Sequence, residues 1–147
     1  MRRALTIAEK GALNGGNPRV GCVLLDSEGS VLVEGFHLGA GHPHAEVEAL
    51  SALTSRGLSA EGTTAVVTLE PCNHQGRTPP CTEAILAAGI RRVVIGATDP
   101  HPRTDGRGIT RLRRAGVEVE TGVLGERCER LVEPFAKLVT TGRPQVV

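Results

Sequence analysis

The sequence predicts an α/β fold, a mixed five-stranded sheet flanked by helices, and three observations carry that prediction. Several runs of five to seven residues are almost wholly apolar, the pattern of strands covered on both faces. From residue 44 onward such runs alternate with helix-like stretches, which implies right-handed parallel crossovers in a single sheet. The first two runs are separated only by residues 26–30, where Asp26-Ser27-Glu28-Gly29 gives a turn too short for a helix, so they form an antiparallel hairpin.

Taken in order, Arg2 to Gly11 reads as a first helix with Ala4, Leu5, Ile7 and Ala8 towards one face. Arg19-Val20-Gly21-Cys22-Val23-Leu24-Leu25 is the first strand, and Val31-Leu32-Val33-Glu34-Gly35-Phe36 returns beside it. After the loop from Gly39 to Pro43, His44 to Arg56 reads as a helix with Ala45, Ala49, Leu50 and Leu53 as its apolar stripe and Gly57 as its C-cap. Thr64 to Leu69 is a strand running directly into Glu70-Pro71-Cys72. Thr78 is a candidate N-cap with Pro79 at the first helical position, which puts Cys81 in the first turn of a helix ending near Gly89. Arg92 to Ala97 is a strand, Gly108 to Ala115 a short helix, Val117 to Thr121 a strand, and Gly125 to Leu138 a closing helix.

Length and composition narrow the function. A chain of 147 residues fits a single domain, residues 1–147, and folding at this size buries roughly 68–70% of the unfolded surface. Phe36 and Phe135 are its only aromatic residues, so the core is built from Val, Leu, Ile and Ala. The net charge is +1 with no basic block, which argues against general nucleic-acid or membrane-surface binding. The lack of aromatic stacking platforms points the same way. No stretch of ~18 apolar residues and no signal-peptide core is visible, so a cytoplasmic location is expected. In a reducing compartment the four cysteines point to metal binding rather than disulfides.

His44-Ala45-Glu46, followed by Pro71-Cys72 and Cys81, is the constellation that carries chemistry. One imidazole and two thiolates are three ligands for zinc, leaving a fourth tetrahedral position for water. Glu46, two residues from the histidine, is placed to move protons on that water. This is the H-x-E…P-C…C order of zinc-dependent nucleobase deaminases, in which the Glu is acid/base and not a ligand. Both helix starts favour thiolates through their free N–H groups and positive dipole ends. Sites in open α/β sheets form beyond the carboxyl ends of the strands, where these residues fall. A closed structural zinc site would need a fourth ligand, for which Cys22 and Cys128 are the candidates. Their apolar settings instead suit small core hydrophobes. His42 reads as a loop residue, because His44 holds the motif position.

Asn17-Pro18-Arg19-Val20-Gly21, Gly35-Phe36-His37, His42 to Val47 and above all Leu69 to Cys81 closely resemble the deaminase domain of the bifunctional riboflavin-biosynthesis deaminase/reductase. Asp99-Pro100, Gly106-Arg107-Gly108 and Gly142-Arg143-Pro144 continue the match along the whole chain. Eight residues between Cys72 and Cys81, where related deaminases have two, set this family apart. The resemblance implies a three-layer α-β-α, cytidine deaminase-like fold, zinc on His44, Cys72 and Cys81, and Glu46 as proton shuttle. The implied reaction removes the 2-amino group of 2,5-diamino-6-ribosylamino-4(3H)-pyrimidinone 5′-phosphate as ammonia. By position, Asn17, His37, His74, Arg77 and Asp99 match residues that surround the substrate in this family. An Asn can read a pyrimidine edge through its donor and acceptor, and an Arg can grip a phosphate bidentately.

The chain departs from the family pattern in places. His101 stands in Asp99-Pro100-His101-Pro102 where Asn is usual and is expected to contact substrate, so it bears on the ribose-phosphate contacts or the substrate itself. Val132 replaces an Asn, and Gly15-Gly16 replaces a Ser/Thr-Pro context. The reductase half is absent from this sequence, which fits either a stand-alone deaminase, with a separate reductase as a possible partner, or a domain excised from a bifunctional enzyme; a homodimer or homotetramer is expected. Two competing readings remain: the same chemistry on another heterocycle, and a non-catalytic zinc-stabilised module that docks a reductase. An unligated carboxylate beside an open metal position, Glu46, argues against the second.

Overall fold

The computed structural model of the chain describes residues 1–10, 19–37, 43–72, 80–98 and 106–130. Its elements are α1 (Arg2–Ala8), β1 (Gly21–Leu25), β2 (Val31–Phe36), α2 (Ala45–Ser55), β3 (Thr64–Leu69), α3 (Cys81–Ala88), β4 (Arg92–Ala97), α4 (Arg107–Arg114) and β5 (Glu118–Glu120). A further helix begins at residue 125 and is described to residue 130.

The first hairpin closes as its turn residues dictate. Asp26 Oδ1 accepts the N–H groups of Glu28 and Ser30, both at 2.9 Å, and Gly29 takes a φ of 86°. A single aspartate thus satisfies two turn amides while glycine supplies the left-handed backbone. The five strands run in the order β2-β1-β3-β4-β5. β1 is antiparallel to both neighbours, whereas β3, β4 and β5 are parallel. This is the expected mixed sheet. Its consequence is geometric: β2, β3 and β4 all end on one side, so the segments that follow them emerge together.

Alternate residues of the strands feed two faces. Val23, Val66 and Val94 lie in register across the sheet and pack with Ala4 of α1. On the other face Cys22-Val67-Ile95 and Leu24-Ala65-Val93 form two rows that meet Ala49 and Leu53 of α2, Ile85 of α3, and Ile109 and Leu112 of α4. Each fully buried aliphatic side chain of this kind contributes about 1.5–3 kcal/mol. Near β2, α2 sits almost on the sheet. A Cβ at Gly35 would lie 2.5 Å from both the Ala45 carbonyl oxygen and the Ala49 nitrogen, so only glycine admits the helix that carries His44 and Glu46.

The element boundaries differ from the sequence expectations in instructive ways. α1 stops at Ala8, because Lys10 N–H turns back to the Ile7 carbonyl (3.1 Å) and tightens the end; Gly11 lies outside the described residues. β1 begins at Gly21 rather than Arg19, and β5 is three residues long. α4 begins one residue early, at Arg107. α3 starts at Cys81 with Pro80 as N-cap, not with Thr78 and Pro79, which lie outside the described residues. No side-chain hydroxyl caps it, because Cys72 does so: the Cys81 N–H donates to Cys72 Sγ (3.2 Å) and the Thr82 N–H to the Cys72 carbonyl (3.2 Å). The expected closing helix is described only as far as residue 130, so its end at Leu138 lies outside.

Candidate active site

Beyond the carboxyl ends of β2 and β3 four side chains come together. His44 is the N-cap of α2, with an extended backbone (φ −69°, ψ 162°) that turns its ring away from the helix and towards Cys72 and Cys81. Cys72 follows β3 by three residues, and Cys81 opens α3. His44 Nδ1 lies 3.1 Å from Cys81 Sγ and 3.7 Å from Cys72 Sγ. The three ligand atoms all fall within 4.8 Å of one another, the one such grouping of metal-ligating side chains among the described residues. Glu46, second residue of α2, is 5% exposed.

These donors fit zinc. In a tetrahedral site with Zn–S about 2.3 Å and Zn–N about 2.0–2.1 Å, a sulfur and a nitrogen ligand stand roughly 3.6 Å apart. The observed separations of 3.1 and 3.7 Å bracket that value. Two soft sulfurs with one imidazole suit zinc rather than calcium or magnesium, which take oxygen.

Charge at the site follows from packing. The hydrogen bond from Cys81 pulls the Cys72 thiol down to about 4, with His44 and the Cys81 N–H assisting against burial. Cys81 moves upward, because it is the donor to Cys72 and is buried beside Glu46. A bound metal would take both sulfurs as thiolates, so its binding would release protons. Burial raises the Glu46 carboxyl above its ordinary range; His44 opposes this and Cys72 reinforces it.

His37 is the one expected substrate contact among the described residues. It is 6% exposed, its Nδ1–H donates to the Pro43 carbonyl (3.0 Å), and its ring meets that of His44 edge-on at 5.2 Å. It therefore fixes the backbone just before the histidine of the triad. Asn17, His74, Arg77, Asp99 and His101 lie outside the described residues, as does His42. Cys22 is fully buried in the sheet, its thiol pushed far up by burial and then by Glu46, and stands apart from the triad. Cys128, raised to about 11 by burial, packs where a Cβ on Gly96 would stand. Both are core cysteines, as their apolar settings suggested.

One residue that sequence reasoning left without a role is Glu70. It is 2% exposed, and its carboxylate accepts the N–H groups of Gly106 (3.0 Å), Gly108 (3.1 Å) and Ile109 (3.4 Å), capping α4. The available signal was an acid at a strand end together with two glycines opening a helix, Gly106-Arg107-Gly108.

Residues 1–97 match the family model described as the cytidine and deoxycytidylate deaminase zinc-binding region. The chain belongs to this deaminase family. The riboflavin biosynthesis protein RibD of Escherichia coli is 47% identical over 147 residues, covering 99% of this chain and 39% of its own length. The diaminohydroxyphosphoribosylamino-pyrimidine deaminase of Buchnera aphidicola is 39% identical over 145 residues, covering 98% of this chain and 96% of its own length. The crystal structure of a Thermotoga maritima diaminohydroxyphosphoribosylaminopyrimidine deaminase/5-amino-6-(5-phosphoribosylamino)uracil reductase superposes with a TM-score of 0.92 at 45% identity, over 98% of this chain and 41% of that one. The chain thus spans about two fifths of the RibD relatives and nearly the whole of the Buchnera deaminase. The three-layer α-β-α fold implied by the resemblance is the fold of this deaminase family.

Proposed function

We propose that residues 1–147 form a zinc-dependent deaminase domain acting on 2,5-diamino-6-ribosylamino-4(3H)-pyrimidinone 5′-phosphate, replacing its 2-amino group with oxygen from water and releasing ammonia. The observation that carries the reading is the gathering of one imidazole, two sulfurs and a buried carboxylate beyond the sheet in a chain similar from end to end to a deaminase of that name. His44, Cys72 and Cys81 are the proposed ligands. The zinc they hold would supply Lewis acidity, bringing deprotonation of water to near-neutral pH.

Glu46 is the proposed acid/base. Burial holds its proton affinity above that of an exposed carboxylate, which suits a group that must take a proton and then give it up. In this reading it accepts a proton from water and delivers it to the ring nitrogen; it then takes the second proton from the newly added hydroxyl and passes it to the amine, which leaves as ammonia while the oxygen stays on the ring as a carbonyl. Its seat at the second position of α2, two residues from His44, keeps the carboxylate beside the ligands throughout. His37 orients the start of that helix through Pro43 and faces the substrate. Asn17, His74, Arg77, Asp99 and His101 complete the proposed contacts, with Arg77 suited to phosphate. A reductase, which the Thermotoga maritima relative carries in the same chain, would consume the product in the cytoplasm; the chain is proposed to work as a homodimer or homotetramer.

The test is ammonia release from the diaminopyrimidinone phosphate, with cytidine and guanine run in parallel. Turnover of the first alone is expected. Turnover only of cytidine or guanine would reassign the substrate and leave the chemistry standing, whereas zinc binding with no turnover of any of them would favour a docking module.

A further inference from the structure

Glu70 and the glycine pair of α4 take no part in the reaction, yet they meet the chain two residues before a proposed metal ligand. Two contacts join α4 to that point, and a third holds the point to the sheet. The two carboxylate oxygens of Glu70 span the amides of Gly106, Gly108 and Ile109. The backbone of α4 approaches so closely that a Cβ at Gly108 would stand 2.3 Å from the Pro71 carbonyl oxygen, and Glu70 itself is pinned to the sheet by its N–H to the Ala97 carbonyl (2.9 Å). From Pro71 the connection passes to Cys72, whose sulfur and carbonyl receive the first two amides of α3.

We propose that Glu70 is a positioning residue for the metal centre. By clasping the N-terminus of α4 it immobilises Pro71-Cys72, and so fixes the Cys72 sulfur against His44 and Cys81. The role in metal binding rests on the ligand reading above; the mechanical link does not. Partners of this kind, which orient ligands without touching the metal, change metal affinity about 10- to 100-fold when lost. A glutamine at position 70 keeps the shape but turns an NH₂ group towards amide donors, so the clasp opens.

The experiment compares Glu70→Gln with the unsubstituted protein by amide hydrogen exchange of the metal-free form and by zinc competition with a chelator. Faster exchange at Gly106, Gly108 and Ile109 is expected, together with at least tenfold faster exchange at Cys81 and Thr82, and zinc binding weaker by about 10- to 100-fold. Gly108→Ala, pressing on Pro71 from the other side, should give the same pair of losses. Leu112→Val, elsewhere on α4, should lower stability and leave zinc affinity unchanged. Should Glu70→Gln not fold, Glu70→Asp keeps the charge with a shorter reach and should show the same changes at reduced size. If Cys81 and Thr82 exchange at the original rate and zinc affinity is unaltered while the α4 amides are released, Glu70 only caps a helix and the proposal is overturned. If the unsubstituted protein binds no zinc, the ligand reading fails, and the Cys81 and Thr82 amides still decide the mechanical link.

Discussion

Two buried carboxylates flank Cys72, and the protein treats them in opposite ways. Glu70, 2% exposed, accepts three backbone amides and ties three structural elements together. Glu46, 5% exposed, lies in the first turn of α2 beside a thiol and an imidazole, and desolvation is the leading influence on its carboxyl. A carboxylate surrounded by fixed donors is committed to architecture. One held by burial among titratable neighbours can exchange its proton. The difference teaches that burial alone does not mark a catalytic acid; the surroundings decide.

The sharpest test of this contrast is Glu46→Gln. Ammonia release should fall by roughly 10²- to 10⁴-fold, the usual worth of a positioned acid/base, while zinc content measured by atomic spectroscopy stays at the original level. Retained turnover would erase the distinction between the two carboxylates. Next in size, Cys81→Ser should lose the metal together with the stability the metal confers, about 4 kcal/mol where free zinc stands a thousandfold above Kd. Thermal unfolding with and without added zinc measures this, and zinc should no longer raise the Tm of the variant. Gly35→Ala moves the helix of Glu46 without touching the clasp of Glu70. Its Cβ would collide with the α2 backbone, so about 1–3 kcal/mol of stability should be lost by denaturant titration, with activity falling alongside.

A smaller effect distinguishes the two acids by pH. Because burial raises the Glu46 carboxyl, its contribution to folding is complete below the ordinary carboxylate range and is lost as pH rises through the shifted value. Metal-free Glu46→Gln should therefore gain stability relative to the unsubstituted protein as pH climbs from acid to neutral; a constant difference would contradict the assignment. An exposed acid supplies the baseline. Glu34 pairs with Arg3 at 2.8 Å on the surface and is held below its ordinary value by that hydrogen bond, yet Arg3→Ala should leave the Tm unchanged within error.

Much of this was legible in the sequence, and what was not has physical causes. The strands Thr64–Leu69 and Arg92–Ala97 announce themselves because residues buried on both faces must be almost wholly apolar. His44, Cys72 and Cys81 were readable because ligand chemistry restricts residue type and the fold restricts order. The start of α3 was misplaced because a hydroxyl is the usual cap, whereas here a sulfur 9 positions upstream fills that role, a contact invisible to local pattern. Glu70 went unassigned for the same reason: its partners lie 36 to 39 residues away. Local rules find helices and ligands; they do not find the brackets between them.

The grip of Cys72 on the first two amides of α3 separates two requirements that closer-spaced cysteines would fuse. Those bonds, from the Cys81 and Thr82 amides to Cys72, tie the two ends of the intervening stretch directly to each other, so the geometry at its ends does not depend on its length. Going from two residues to the eight found between the sulfurs is two doublings, which costs only about 1.2 kcal/mol in closure entropy. A chain built this way can lengthen, shorten or rewrite that stretch while its inorganic anchor stays where it was.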